Sequence, residues 1–233
     1  PSGTVFTTAG TNFSATVSAV AWQAVDDANN DGIPDGGATL SDNAVTPNFA
    51  YATTLAAAAP FQPSTGTLGV LNNGNLVAGA FSSGVASPSN LQYTEVGSFS
   101  LTTAVTDYLG DANADVAGLA VVVGRFTPHR FNVTKNTPRF DPACAAGEFS
   151  YVGQSFGYQS GQEPVATVTA INQLGATTRN YTGAWRRLSN TTLTPATQSG
   201  RYAAFAGTLD TSSLPAVAGD PAIGELARIL FLS

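Results

Sequence analysis

From Phe13 to Trp22 the side chains alternate, with Phe13, Ala15, Val17, Ala19 and Ala21 on one face and Ser14, Thr16, Ser18, Val20 and Trp22 on the other. A period of two sends successive side chains to opposite faces of an extended backbone; a helix would need apolar residues three or four apart. Phe99, Leu101, Thr103 and Val105 form a second ladder, and Val165 to Ala170, Arg201 to Phe205 and Arg228 to Leu232 continue the pattern. Gly, Pro, Asn and Ser clusters such as Pro63-Ser-Thr-Gly66, Asn72-Asn-Gly74 and Ser189-Asn190 separate these runs and read as turns. The Asn73-Gly74 step between Leu71 and Leu76 predicts a hairpin, because both residues tolerate positive φ. Leu55 to Ala59 is Ala-rich enough to predict one turn of helix, stopped by Pro60. Many short strands at intervals of roughly 8–12 residues define an all-β class of sandwich type.

An internal repeat refines this. Phe6 to Phe13 and Phe149 to Phe156 share the frame F-x-x-x-G-x-x-F, Ala15-Thr-Val-Ser-Ala19 parallels Ala166-Thr-Val-Thr-Ala170, and Thr46-Pro-Asn-Phe49 parallels Thr178-Arg-Asn-Tyr181. Such a repeat predicts two modules of one supersecondary design, each with its own core. The expected architecture is two tandem Ig-like antiparallel β-sandwich modules with an extended Pro- and Arg-containing connector. The first module spans 1–123, the connector 124–143, and the second, shorter module 144–233. Pro128, Pro138 and Pro142 with Arg125, Arg130 and Arg139 suit an extended or edge segment, since Pro cannot donate to a ladder.

Composition excludes several function classes. Only 10% of the residues are charged, and nine basic against 15 acidic side chains give a net charge of -6. No basic stripe exists to neutralise phosphates, so nucleic acid is not an expected partner. The longest apolar runs, Ala117 to Val123 and Ile229 to Leu232, fall far short of the ~20 residues of a membrane span, so no transmembrane segment is expected. A chain opening at Pro1 reads as processed or as part of something longer. Cys144 is alone, which rules out an internal disulfide or a thiolate cluster and leaves a small buried hydrophobe or a partner outside this segment. His129 is also alone, so any Ser-His-Asp system would have to pass through that one imidazole.

The sharpest local signal is the run Asp26-Asp27-Ala-Asn29-Asn30-Asp31-Gly32-Ile33-Pro34-Asp35. With Asp27 as position 1, Asn29 falls at 3, Asp31 at 5, Gly32 at 6, the Ile33 carbonyl at 7 and Asp35 at 9. That spacing turns alternate oxygens inward and suits a hard cation, so Ca2+ is expected on Asp27, Asn29, Asp31, Ile33 and Asp35. Position 12 is Ala38, so the bidentate Glu of a cytosolic sensor loop is missing. An Asx-rich loop held by its own hydrogen bonds has the same composition. The run 26–35 lies where the first module is longer than the second, which marks it as an insertion.

The remaining acids, among them Asp42, Glu95, Asp107, Asp141 and Glu163, form no recognisable pair for glycoside hydrolysis and read as turn acids. Trp22 and Trp185 could belong to a sugar-stacking face or to the core. The sequons at Asn12, Asn132, Asn180 and Asn190 are of a kind that arises by chance in a Ser/Thr/Asn-rich chain.

Taken in order, the motifs carry a family resemblance. F-x-x-A-G-x-x-F at 6–13, D-x-N-x-D-G-I-P-D at 27–35, S-D-N-x-x-x-P-N-F at 41–49, Y-T-E-V-G at 93–97, D-Y-L-G at 107–110, V-G-R-F-x-P at 123–128, A-C at 143–144, F-x-Y-x-G-Q-x-F-G at 149–157 and T-x-T-A-x-N-x-x-G-x-x-T-x-N-Y-T-G at 167–183 follow one another. This succession resembles the C-terminal region of MshQ-like proteins, large secreted components encoded with mannose-sensitive haemagglutinin type IV pilus systems of Gram-negative bacteria. The resemblance implies a secreted, cell-surface or pilus-associated segment of a longer chain, and it brings no catalytic motif with it. The expected function is a non-enzymatic structural or adhesive module whose partners are other pilus or cell-surface components. Two other classes stand beside it: a carbohydrate-binding module that takes surface glycans, and a filament subunit that joins its own copies by strand addition. The strand-like ends Gly3 to Thr8 and Arg228 to Leu232 motivate the latter.

Overall fold

The computed structural model describes residues 3–31, 33–111, 115–144, 146, 149–151 and 157–188, together with the strand backbones 208–210 and 226–232. Two compact units are present. One is formed by Ser2–His129 with Asn172–Asn180, the other by Arg130–Ile171 and the described residues from Tyr181 onward.

The first unit contains β1 (Thr7–Thr8), β2 (Asn12–Phe13), β3 (Val17–Ser18), β4 (Thr53–Gln62), β5 (Leu71–Asn72), β6 (Asn75–Leu76), β7 (Val85–Ala86), β8 (Leu91–Tyr93), β9 (Gly97–Val105), β10 (Val116–Ala117) and β11 (Val121–Thr127). A six-stranded sheet runs β1-β11-β9-β4-β6 with β10 against β9, a three-stranded sheet runs β2-β8-β5, and β3 pairs with β7. The pair β1 and β11 is parallel; the rest of these ladders are antiparallel. Phe13, Leu91 and Tyr93 from the smaller sheet meet Leu55, Phe99 and Phe126 from the larger in one buried cluster, which makes this unit a two-layer sandwich. Tyr93 stacks on Phe99 at 4.2 Å, and Phe126 lies 5.2 Å from Tyr93. Truncating such a buried aromatic typically costs about 3–5 kcal/mol. The chain is therefore all-β, as the period-two ladders indicate.

The F-x-x-x-G-x-x-F frame at 6–13 is the corner that carries the chain from one sheet to the other. Phe6 precedes β1 and Phe13 ends β2, and both rings meet Phe126, at 5.4 and 5.6 Å. Gly10 sits between them at φ 78, where an L side chain is disfavoured, and its N–H donates to the Tyr93 carbonyl at 2.7 Å. In the second copy of the frame, residues 152–156 lie outside the described residues.

Three local expectations are corrected. Leu55 to Ala59 is not a helical turn but part of β4, because Thr53 and Leu55 are buried and the segment is paired by β9 on one side. Sheet pairing and burial override the helix propensity of Ala here. Pro60 is accommodated because the β4–β9 register shifts between Ala58 and Gln62, so it sits where no ladder N–H is required. The turn at Asn73 is present, with φ 62, yet its flanks form no hairpin: β5 pairs with β8 in the smaller sheet and β6 with β4 in the larger. Turn chemistry fixed the reversal and tertiary partners fixed the sheets. The ladder from Phe13 likewise breaks into β2 and β3, which join different sheets.

The second unit contains β12 (Arg130–Lys135), β13 (Phe140–Asp141), β14 (Gly157–Tyr158), β15 (Val165–Ile171), β16 (Thr208–Asp210) and β17 (Leu226–Leu232). Its four-stranded sheet runs β12-β15-β17-β16, and β13 pairs with β14. Ala166, Val168 and Ala170 are buried along β15, as the alternation predicts, and Ile171 is buried beside them at its end, with Tyr181 buried in the same unit. Residues 124–143 carry the end of β11, all of β12 and β13. The expected strand at 201–205 and turn at 189–190 lie outside the described residues.

The C-terminal strand is not an open joint. β17 is hydrogen-bonded to β15 on one side and β16 on the other, so the apolar run 229–232 pairs inside its own sheet. At the other end β1 is an edge strand of the six-stranded sheet. The aligned repeat segments also differ in setting. Val17 sits in a two-residue strand, whereas Val168 lies mid-way along a seven-residue strand paired on both sides.

Candidate functional site: an acidic loop and the cavity beside it

Residues 23–43 form a loop nucleated by side-chain to backbone hydrogen bonds. The Asp26 N–H donates to the Gln23 carbonyl at 3.0 Å, and Asn30 adopts φ 58. Asp27 Oδ1 accepts the Asp31 N–H at 3.1 Å, Asp31 Oδ1 accepts the Ile33 N–H at 2.9 Å, and Asp35 Oδ2 accepts the Ala28 N–H at 2.9 Å. Asn29 donates from Nδ2 to Asp31 Oδ2 at 3.0 Å and accepts the Asp31 N–H at 3.2 Å. The Asn29–Asp31 and Asp31–Ile33 contacts are Asx-turn bonds, and the Asp27 and Asp35 carboxylates tie the loop together across four and seven residues. Gly32 lies outside the described residues.

The donor set of carboxylates, an amide oxygen and the Ile33 carbonyl has the all-oxygen chemistry of a hard-cation site. Among the described residues, however, no three Asp, Glu, His or Cys side chains converge on one metal-sized point. In this arrangement the loop carboxylates are engaged by N–H groups.

A polar network anchors the loop. Asn43 Nδ2 donates to Asp26 Oδ2 at 2.7 Å and to the Ala21 carbonyl at 3.1 Å, while its Oδ1 accepts from Gln23 Nε2 at 2.6 Å. Asp26 and Asp27 are only 6% and 3% exposed. Trp22 is 61% exposed, and its indole Nε1 donates to Asp27 Oδ2 at 3.1 Å.

Beside this network lies a cavity of about 400 Å³. Its lining includes Trp22, Asp26, Asp27 and Asn43, the aliphatic and aromatic side chains of Val17, Val105, Ala117, Phe49, Phe81 and Tyr108, and the hydroxyl residues Thr46, Thr53 and Thr103. Phe49 packs edge-to-face on Phe81 at 4.9 Å and stacks on Tyr108 at 6.2 Å; Tyr51 lies 4.8 Å from Tyr108. Three motifs far apart in sequence meet here: the acidic run, S-D-N-x-x-x-P-N-F through Asn43 and Phe49, and D-Y-L-G through Tyr108. The sequence marked these residues as motif members without indicating that they share a cavity, since only the tertiary fold brings 22–49 against 103–118.

Two further motifs meet elsewhere in the same unit. Glu95, from Y-T-E-V-G, accepts the N–H groups of Arg179 and Asn180, both at 3.1 Å. Asn180 in turn accepts the Thr67 N–H at 2.8 Å and donates to the Thr67 carbonyl at 2.7 Å. Asn172 donates to the Thr94 carbonyl at 3.0 Å, and Gln173 N–H to the Ala9 carbonyl at 2.8 Å. Residues 172–180 are thus a strap belonging to the first unit. Buried Asn180 is engaged on both sides and is no glycosylation acceptor in the folded chain.

The other flagged residues stand apart. His129 lines no part of the cavity; its Nδ1 lies 3.5 Å from Thr8 Oγ1. Cys144 is a half-buried free thiol in an isolated bridge with Phe149. Trp185 lies in a short 3-10 turn, Gly183–Trp185, of the second unit.

These features define an all-β protein whose first sandwich carries an acidic loop and an aromatic-lined cavity. Residues 1–92 match the DUF6701 second domain and residues 95–226 the DUF6701 third domain, and the chain belongs to the DUF6701 family. The junction between the two matches falls inside the first sandwich: β4 and β6 lie before it, and β9 and β11 of the same sheet lie after it. No curated protein and no solved structure matches the chain.

Proposed function

We propose that this chain is a non-enzymatic structural and adhesive module of an extracellular, pilus-associated protein of a Gram-negative bacterium, a segment of a larger MshQ-like chain or assembly. The observation that carries the reading is what the loop and strap acids do. Buried Glu95 and Asp27, half-buried Asp35 and exposed Asp31 each accept backbone N–H groups, so they shape loops and hold the strap in place, and buried Asp26 accepts from the Asn43 side chain. A general acid or base instead needs a carboxyl free to exchange a proton with a substrate. Low charge and a Ser/Thr/Asn-rich surface suit a module that works outside the cell among neighbours. The open edge at β1 is where a second copy or another surface component would add a strand.

Calcium belongs to the same proposal. Binding would recruit oxygens of Asp27, Asn29, Asp31, Ile33 and Asp35, with an affinity of about 10⁻⁴ to 10⁻³ M, as in extracellular modules. Calorimetric titration is expected to show heat that the Asp31→Ala variant loses; equal heats from both would contradict it.

Immunogold electron microscopy of intact cells, with antibody raised to this chain, tests the location. Labelling of the surface or of pili is expected, and labelling only after permeabilisation would overturn the reading.

A second reading, carbohydrate binding, is favoured by one observation: the exposed Trp22 ring is oriented by a carboxylate at the cavity. A glycan panel in which Trp22→Ala abolishes binding would establish it; a panel with no Trp22-dependent binding would dismiss it.

A further inference from the structure

We propose that the cavity beside the acidic loop is a binding site for a small organic cation, a primary ammonium group carried on an apolar body of about the size of one aromatic ring. Its volume of about 400 Å³ falls in the range of small-molecule sites. Asp26 supplies the anionic end. It is 6% exposed, it lines the cavity, and among the described residues its carboxylate accepts one side-chain hydrogen bond, from Asn43 at 2.7 Å. A carboxylate in such a place is costly unless matched by further donors or a positive charge, and no Lys, Arg or His lines the cavity to supply one. The charge must come from the occupant or the group stays undercompensated.

The rest of the wall specifies the body of the ligand. Phe49, Phe81 and Tyr108 present ring surface, and Val17, Val105 and Ala117 present aliphatic surface. The ring faces give the apolar body of the ligand a surface to stack on while its ammonium meets Asp26. Asp26 is not among the five loop residues assigned to calcium, but Asp27 is and it also lines the cavity, so titration in EDTA, which removes free metal, separates the two readings.

Phenethylammonium and 2-phenylethanol serve as probes, matched in body and differing in charge. Titration of the 233-residue chain by calorimetry is expected to show the amine binding at least about tenfold more tightly than the alcohol, since one charge-assisted contact separates them. Asp26→Asn, which keeps an acceptor for Asn43, is expected to abolish that preference. Ala117→Trp, which fills the cavity, is expected to abolish binding of both probes, with thermal unfolding showing that each variant is folded. The titration is run with and without EDTA, and the preference is expected in both. Equal affinity of the unmodified chain for amine and alcohol, no heat from either at millimolar concentration, or a preference that survives Asp26→Asn in a folded variant would each overturn the proposal. The probe comparison on the unmodified chain decides the matter even if a variant fails to fold.

Discussion

Gly97 holds a φ of 125, and a Cβ built there would run into the Gln62 carbonyl and lie 3.2 Å from Pro63 Cδ. It stands where the β4–β9 register shifts, so the close approach is part of how the sheet absorbs Pro60. Gly97→Ala is therefore expected to destabilise the chain by roughly 1–3 kcal/mol, from backbone strain and a displaced strand, measured as a lower urea midpoint. Tyr93 supplies a second residue-scale prediction. Burial pushes its phenol above the ordinary 10.0, the hydrogen bond from the Gly69 N–H pulls it down, and the nearby Glu95 pushes it up. The native chain thus keeps a proton that the unfolded chain releases near pH 10. The Tyr93 contribution is complete below about pH 10 and is lost as pH rises through the raised native value. Tyr93→Phe leaves the Gly69 N–H without its acceptor, so it is expected to cost about 1–3 kcal/mol at neutral pH. Its stability is also expected to fall less steeply between pH 9 and 11 than that of the unmodified chain; parallel decline would contradict the burial argument.

At the scale of elements, the strap 172–180 tests whether polar contacts or apolar burial hold a segment in place. Its anchors are the Asn180 pair with Thr67 and the Glu95 carboxylate on two N–H groups. Asn180→Ala removes both bonds to exposed Thr67 and the buried amide that makes them, so a loss of about 1–2 kcal/mol is expected in chemical denaturation. A loss below ~0.5 kcal/mol would show that the strap is held by other means.

The strands themselves were legible in the sequence where one face is buried along a whole element. Val165 to Ala170 alternates buried and half-buried as its sequence says, whereas in Phe99 to Val105 Phe99 and Val105 are buried but so is Ser100, and Leu101 and Thr103 are half-buried. Where a segment crosses between layers, as at 13–22 and at Asn73, periodicity and turn chemistry gave the extended backbone and the reversal but not the partner strand, which depends on residues far away in the chain. The Ala-rich 55–59 misled because Ala has no side chain to declare a preference against its sheet neighbours. The spacing of the acidic run pointed to a loop closed by its own side chains, and Asp27, Asn29, Asp31 and Asp35 share its hydrogen bonds. The cavity was not, because its walls come from segments that no local pattern connects.

At the scale of the molecule, the account rests on one claim: the first sandwich is built jointly from residues of both matched segments, and the candidate site depends on that sandwich. β4 and β6 lie within 1–92, β9 and β11 lie within 95–226, and the four share one sheet. Phe99 and Phe126, from the later segment, sit in the core with Phe13, Leu55 and Leu91 from the earlier one. The cavity likewise takes Val17 and Phe49 from one segment and Val105 and Tyr108 from the other. A segment that ends at residue 92 would leave one face of Leu55 and Leu91 open to water, and a half-sheet of this kind does not bury enough apolar area to offset its chain entropy. The most direct measurement is the amide NMR spectrum and urea unfolding of residues 1–92 alone beside the 233-residue chain. The expected result is a collapsed, poorly dispersed spectrum and no cooperative transition for 1–92, with dispersed resonances and a cooperative transition for the 233-residue chain; a well-dispersed, cooperatively unfolding 1–92 would contradict the account.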